Sequence, residues 1–185
     1  MPSKTTVLSV PVQVNTEIFR DFAAFDVWTR QKRWQRPLVF ALILLAGAVI
    51  CFSQVGKREG AVLLGSVLTL VGLGLPAVYV TMFFQSVNRQ AKRMGLAAGK
   101  DTYRVELDEE GVCMRPAGAQ DKEAEAVAHT WAQVYGAWRT PRAIYLYVTG
   151  SQAYLLPADQ IPGGADRAWD LLRDHLPAGK LHTTR

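Results

Sequence analysis

The segment PLVFALILLAGAVICFSQVGKREGAVLLGSVLTLVGLGLPAVYVTMFF, residues 37–84, decides how the chain is organised. Its only charges are Lys57, Arg58 and Glu59, set between two apolar runs at 37–56 and 61–84. Each run has the roughly 20 residues needed to cross a hydrocarbon core about 30 Å thick. Neither shows a polar stripe at helical period, so each is apolar all round. The remaining segments cannot wrap two such helices on every side within a soluble core. A transmembrane hairpin with KREG at its tip is therefore expected. A cleaved leader is not, because the first run begins far from the N-terminus and a second follows at once.

Arg30, Lys32, Arg33 and Arg36 precede the first run, and Arg89, Lys92 and Arg93 follow the second. The tip has two cations offset by Glu59. Basic residues accumulate on the cytoplasmic side of spans, so both termini are expected in the cytoplasm and the tip outside the cell membrane. Trp28 and Trp34 lie at the basic end, as do Tyr79, Phe83 and Phe84. Amphipathic rings favour the headgroup layer, so these tryptophans and the seven cations are candidate interface anchors, with membrane lipids as their partner. In the second run Ala61, Gly65, Thr69, Gly72 and Pro76 share one helix face. Small residues let helices approach closely in a bilayer. Ala41, Leu45, Ala48 and Phe52 form an opposing stripe on the first run. This face either packs the hairpin on itself or joins two copies. Pro76 removes a backbone bond and is expected to kink its helix. Neither run contains an ionisable residue, which argues against a channel or transporter.

The net charge of +5 conceals a split. Residues 1–100 carry 12 Lys/Arg against 4 Asp/Glu, giving +8, and residues 101–185 carry 9 against 12, giving −3. The positive charge lies beside the apolar runs and the remainder is acidic, so no nucleic-acid partner is expected. Cys51 and Cys113 are too few for a disulfide framework and read as reduced, structural residues.

Outside the hairpin the pattern is that of a small mixed domain. Residues 6–14 alternate, with Leu8, Val10, Val12 and Val14 on one face, which predicts a half-buried strand. Pro11 places it at a sheet edge. Residues 16–30 predict a helix, N-capped by Asn15 with Glu17 in its first turn. It rests either on the membrane or on the soluble domain. Residues 85–100 read as a helical linker ending near Gly95 and Gly99. Six short strands follow, at 102–107, 112–115, 123–130, 132–138, 143–148 and 153–156. DEEG, 108–111, reads as a tight turn with a left-handed glycine. A closing helix carries Ala165, Trp169, Leu172 and Leu176 on one stripe, stopped by Pro177 and Gly179.

Seven strands and a terminal helix are the element list of a pleckstrin-homology-like barrel. The expected fold class is an α+β membrane protein: a two-helix hairpin at 37–84 with a cytosolic antiparallel barrel or sheet, 101–185. Strand 6–14 would complete that domain, and the C-terminal helix would cap it. In layout and in the segments HTWAQVYGAW, IYLYVTGSQAYLLPADQI and the closing helix, the chain resembles the YcxB-like proteins. These are small bacterial membrane proteins with an N-terminal segment, two transmembrane helices and a C-terminal domain. Trp131, Tyr145, Tyr147 and Pro157 match the family pattern. Where the family often has a basic residue after that proline, Ala158 and Asp159 stand here, which weakens any anionic ligand at this corner. The resemblance implies an architecture and no particular chemistry.

The residues themselves point to no reaction and no cofactor. His129 is expected to face solvent beside Glu123 and Glu125. His175 closes a helix, where a cation suits the dipole. His182 lies in the tail. None has metal-ligand spacing, and nucleophile and phosphate-loop signatures are missing. Gly163 and Gly164 fit helix capping better than phosphate binding. Asp108, Glu109 and Glu110 lack the ligand spacing of a calcium loop and would repel phosphoinositides. The aromatic set Trp131, Tyr135, Trp138, Tyr145, Tyr147 and Tyr154 either covers the core or forms an interaction surface. The expectation is a non-enzymatic, membrane-anchored module that binds a protein partner or itself. A sensor of lipid or envelope state is the alternative, and an enzyme acting on a membrane-associated substrate a distant third.

Overall fold

A computed structural model describes residues 6–32, 34–96, 101–117 and 126–184. The chain divides into two compact units, Met1–Ile18 with Leu96–Arg185, and Phe19–Gly95. Each is described in turn.

The first unit is built on two four-stranded sheets. One has the order β1-β2-β3-β4, from β1 (Thr6–Gln13), β2 (Asp101–Asp108), β3 (Gly111–Pro116) and β4 (Val127–Thr130), all antiparallel. Leu8 pairs with Leu107, Val10 with Val105, and Leu107 with Val112, so these side chains share one face, and all are buried. β1 occupies the edge, where the missing N–H of Pro11 costs little. The side chain of Gln160 extends this edge. Its Oε1 accepts from Gln13 N at 2.7 Å and its Nε2 donates to Gln13 O at 3.0 Å.

The other sheet has the order β7-β6-β5-β8, from β5 (Gly136–Arg139), β6 (Ala143–Tyr147), β7 (Ala153–Pro157) and β8 (Leu181–Thr183). β8 is unforeseen by the sequence reading and pairs parallel to β5. The helix α4 (Gly164–His175) buries Ala168, Trp169, Leu171 and Leu172. Arg139 of β5 donates to Asp166 of α4 at 2.6 Å. The hydroxyl of Tyr103, on β2, donates to Leu155 O at 3.2 Å and accepts from Leu155 N at 2.9 Å, on β7. One side chain thus links the two sheets. The architecture is α+β with two sheets and a helix, and the sheets do not close into a barrel.

Three local expectations are corrected. Gly111 is not left-handed. Asp108 Oδ1 accepts from Glu110 N at 2.9 Å and Gly111 N at 2.7 Å, so the aspartate makes the turn. Gly111 serves close approach instead, since a Cβ there would stand 2.0 Å from His129 O. Residues 131–133 form a turn rather than the start of a strand, tied down by Lys180 Nζ, which donates to Val134 O at 2.5 Å. Of the strand expected at 123–130, only Val127–Thr130 falls among the described residues as β4; 123–125 lie outside them.

The second unit contains most of α1 (Thr16–Phe25), a π-helical turn (Asp26–Arg30), α2 (Gln35–Ser53) and α3 (Ala61–Arg93). Asn15 Oδ1 caps α1 through Ile18 N at 2.8 Å. The helix expected at 16–30 stops being α-helical at Phe25. Gln31 N reaches back five residues to Asp26 O, and the Asp26 carboxylate holds Arg30 Nε and Gln31 Nε2, which favours the wider turn. α3 continues unbroken through Pro76 to Arg93. α2 and α3 are long and apolar enough to cross a membrane.

Candidate functional site

Packing between α2 and α3 follows the small-residue face. Ala41, Ala48, Ala61, Gly65 and Gly72 are buried, and Thr69 and Pro76 are half-buried. A Cβ at Gly65 would stand 2.9 Å from the Phe52 ring, and one at Gly72 would stand 3.2 Å from Leu45 and 3.4 Å from Ala41 O. This face is therefore occupied within the hairpin.

At the other end of the pair, Trp28, Phe83 and Phe84 form a ring cluster with centroids 5.3–6.5 Å apart. Trp34 Nε1 donates to Trp28 O at 3.0 Å, and both indoles are about two-fifths exposed. Arg30 is paired with Asp26. Lys32, Arg36, Arg89, Lys92 and Arg93 are exposed, and Arg33 lies outside the described residues.

In the sheet domain the six candidate aromatics separate. Tyr145, Tyr147, Tyr154 and Trp131 are buried and present no surface. Trp131 Nε1 donates to Asp108 O at 3.1 Å, and its ring stacks on His175 at 4.9 Å. Burial pushes the Tyr103 phenol up to about 12, and burial followed by the nearby Cys113 raises that of Tyr154. His129 belongs to the core-side face of β4, opposite Val112, rather than to solvent. Its Nε2 and the Tyr154 hydroxyl are buried and have no hydrogen-bond partner among the described residues.

Tyr135 and Trp138 remain accessible. Tyr135 is 53% exposed, and its N–H bonds Tyr147 O at 2.8 Å, which lays it beside the end of β6. Trp138, on β5, packs against Gly136, where a Cβ would stand 3.0 Å from the indole. Tyr135 and Trp138 stack at 6.2 Å with 13° between planes, and Trp138 and His182 stack at 4.6 Å with 27°. Tyr147, buried, meets the indole edge-on at 4.9 Å. The result is a ladder of three near-parallel rings, Tyr135–Trp138–His182, whose two terminal residues are exposed. Each such contact contributes about 0.5–1.5 kcal/mol and stiffens the surface. The sequence reading missed His182, because its place depends on β8 pairing with β5. Among the described residues no group of three or more His, Cys, Asp or Glu is arranged to hold a metal.

An open aromatic ladder on an α+β domain, carried in one chain with two membrane-length helices, fits a membrane-associated module. Residues 120–176 match the family described as YcxB-like protein, the family whose resemblance the sequence carries. The match runs through β4–β7 to α4 and includes neither apolar helix. No curated protein and no solved structure gives a significant match.

Proposed function

We propose that the chain is a membrane-anchored, non-enzymatic interaction module. α2 and α3 cross the cell membrane as a hairpin with both flanks in the cytoplasm. The two sheets and α4 form an open, pleckstrin-homology-like domain on the cytoplasmic side. The Tyr135–Trp138–His182 ladder is its contact surface for a protein partner or a second copy. The observation that carries this reading is the outward display of large apolar side chains by α2 and α3, with Leu63 and Leu70 each 74% exposed. Such a surface is stable against hydrocarbon and unstable against water. A sensor role has one supporting feature, the unbroken run of α3 from its apolar part through Arg93.

The test is two-fold. On a Cys51→Ala, Cys113→Ala background, a cysteine replacing Gly60 should react with an impermeant maleimide from outside, and one replacing Ser151 only after lysis. The opposite pattern overturns the topology. A photo-crosslinking residue at position 135 should trap a discrete partner or a dimer, and one at Glu109 should not.

A further inference from the structure

The cations at the base of the hairpin are too well placed against its aromatic layer to be general solubilising charge. Contacts fix the antiparallel register of α2 and α3: Gly65 faces Phe52, Leu68 faces Gly47, and Gly72 faces Leu45 and Ala41. Carrying that register to the start of α2 brings Arg36 abreast of Tyr79, with Trp34 abreast of the turn before Phe83. The ring contacts of Trp28 with Phe83 and Phe84 show that the same layering continues below α2. At about 1.5 Å per residue, Arg89 lies roughly 9 Å beyond Phe83, within the depth of a headgroup layer for so long a side chain. Lys32, which turns the chain at φ 50°, lies between the levels of Arg36 and Arg89, which stand about 15 Å apart along the axis, so the long side chains reach the headgroups from both sides of that layer.

The local acids do not neutralise these cations. Asp26 is engaged by Arg30 and Gln31, and the other acid of the unit's basic end, Asp21, lies a further turn back on α1. Among the described residues Lys32 and Arg36 have no ion pair, and Arg89 has only a 3.3 Å bond to Gln85 Oε1. A shelf of exposed indoles beside unpaired cations matches the glycerol and phosphate of a lipid carrying net negative charge.

Resting on the bilayer-spanning reading of α2 and α3, we infer that Lys32, Arg36 and Arg89, with Trp28 and Trp34, form a selective contact for anionic phospholipid headgroups. Zwitterionic lipids offer the same phosphate with its charge already balanced, so they compete poorly.

The full chain is reconstituted into phosphatidylcholine vesicles in which a growing fraction of lipid is dibrominated phosphatidylglycerol or dibrominated phosphatidylcholine, and tryptophan quenching is read. The expected result is a several-fold preference for phosphatidylglycerol. The triple exchange Lys32→Gln, Arg36→Gln, Arg89→Gln should bring the ratio close to one. The charge-keeping exchange Lys32→Arg, Arg36→Lys, Arg89→Lys should retain the preference, as should Lys57→Gln with Arg58→Gln at the tip. Quenching without preference, or an equal loss from the tip pair, overturns the lipid contact and leaves the anchor standing. Absence of quenching in pure dibrominated phosphatidylcholine overturns both.

Discussion

The helical pair and the sheet domain order their residues in opposite ways. The pair buries its smallest side chains, Ala41, Ala48, Gly65 and Gly72, and turns leucines and valines outward. The domain buries Tyr147, Ile144, Leu146 and Leu156 and leaves Arg104, Arg142 and Asp159 at its surface. In water, burial of large apolar area drives folding. In hydrocarbon that drive vanishes between helices, and close backbone approach takes its place. On the proposed membrane-spanning reading one chain carries two packing rules, and substitutions should obey whichever rule governs their region.

The largest expected effect tests the domain's dependence on its first strand. Leu8, Val10, Val12 and Val14 are all buried. Burying each contributes roughly 1.5–3 kcal/mol, which together approaches the whole stability of a small domain, about 5–15 kcal/mol. Deleting residues 1–14 should strip hydrogen-exchange protection from Ala143–Tyr147 in the otherwise full-length protein. Equal protection would mean that β1 is an appendage.

Next is Gly111→Ala. The added methyl meets backbone, His129 O and Thr130 Cα, which cannot swing aside. A loss of about 3 kcal/mol is expected in thermal unfolding of the domain, with β3 and β4 separating first.

Tyr103 gives a smaller effect with a pH signature. Its phenol is raised from 10.0 to about 12 by burial, so the folded state favours the protonated form. That contribution is whole below pH 10.0 and is lost as the pH rises towards 12, about 2–3 kcal/mol in all. Tyr103→Phe should flatten this alkaline window. It should also cost about 1–2 kcal/mol at neutral pH, because the backbone groups of Leu155 lose their partner.

The smallest effect separates two glycines of α3. A Cβ at Gly74 would meet nothing within 4 Å, so Gly74→Ala should stabilise the helix by roughly 0.5–1 kcal/mol. Gly65→Ala pushes the Phe52 ring away and should show no gain when the two variants are compared by unfolding in a detergent titration. Equal gains at both sites would show that close approach does not govern the pair.

Much of this was legible because the two rules leave different marks. Alternation in TTVLSVPVQV requires one wet and one dry face, which is the situation of an edge strand. Forty-eight residues interrupted only by KREG mark two long apolar helices by composition, and α2 and α3 are those helices. Elements set by distant pairing were not legible. LHT carries no alternation and is a strand by its parallel pairing with β5, next to Lys180, which donates to Val134 O. For the same reason His182 was read as tail. Tyr145 and Tyr147 misled differently: every residue of β6 is buried, so neither of its faces is the wet one that alternation presumes. Gly111 shows that a glycine after acidic residues can be selected by crowding instead of by backbone angle.

The pairing of β1 with β2 has a consequence for the order in which the protein can be made. Val14 and Thr102, joined by a hydrogen bond, are 88 positions apart, and both apolar helices lie between them. At about 5–20 residues per second, β1 leaves the ribosome some 4–18 seconds before its partner exists. During that interval its valines have no sheet to cover them, and both apolar helices are made before one exists. On the proposed topology, insertion of the hairpin thus precedes folding of the sheet domain. A stall or failure at the second helix would leave β1 as an unpaired edge open to chaperones and proteases.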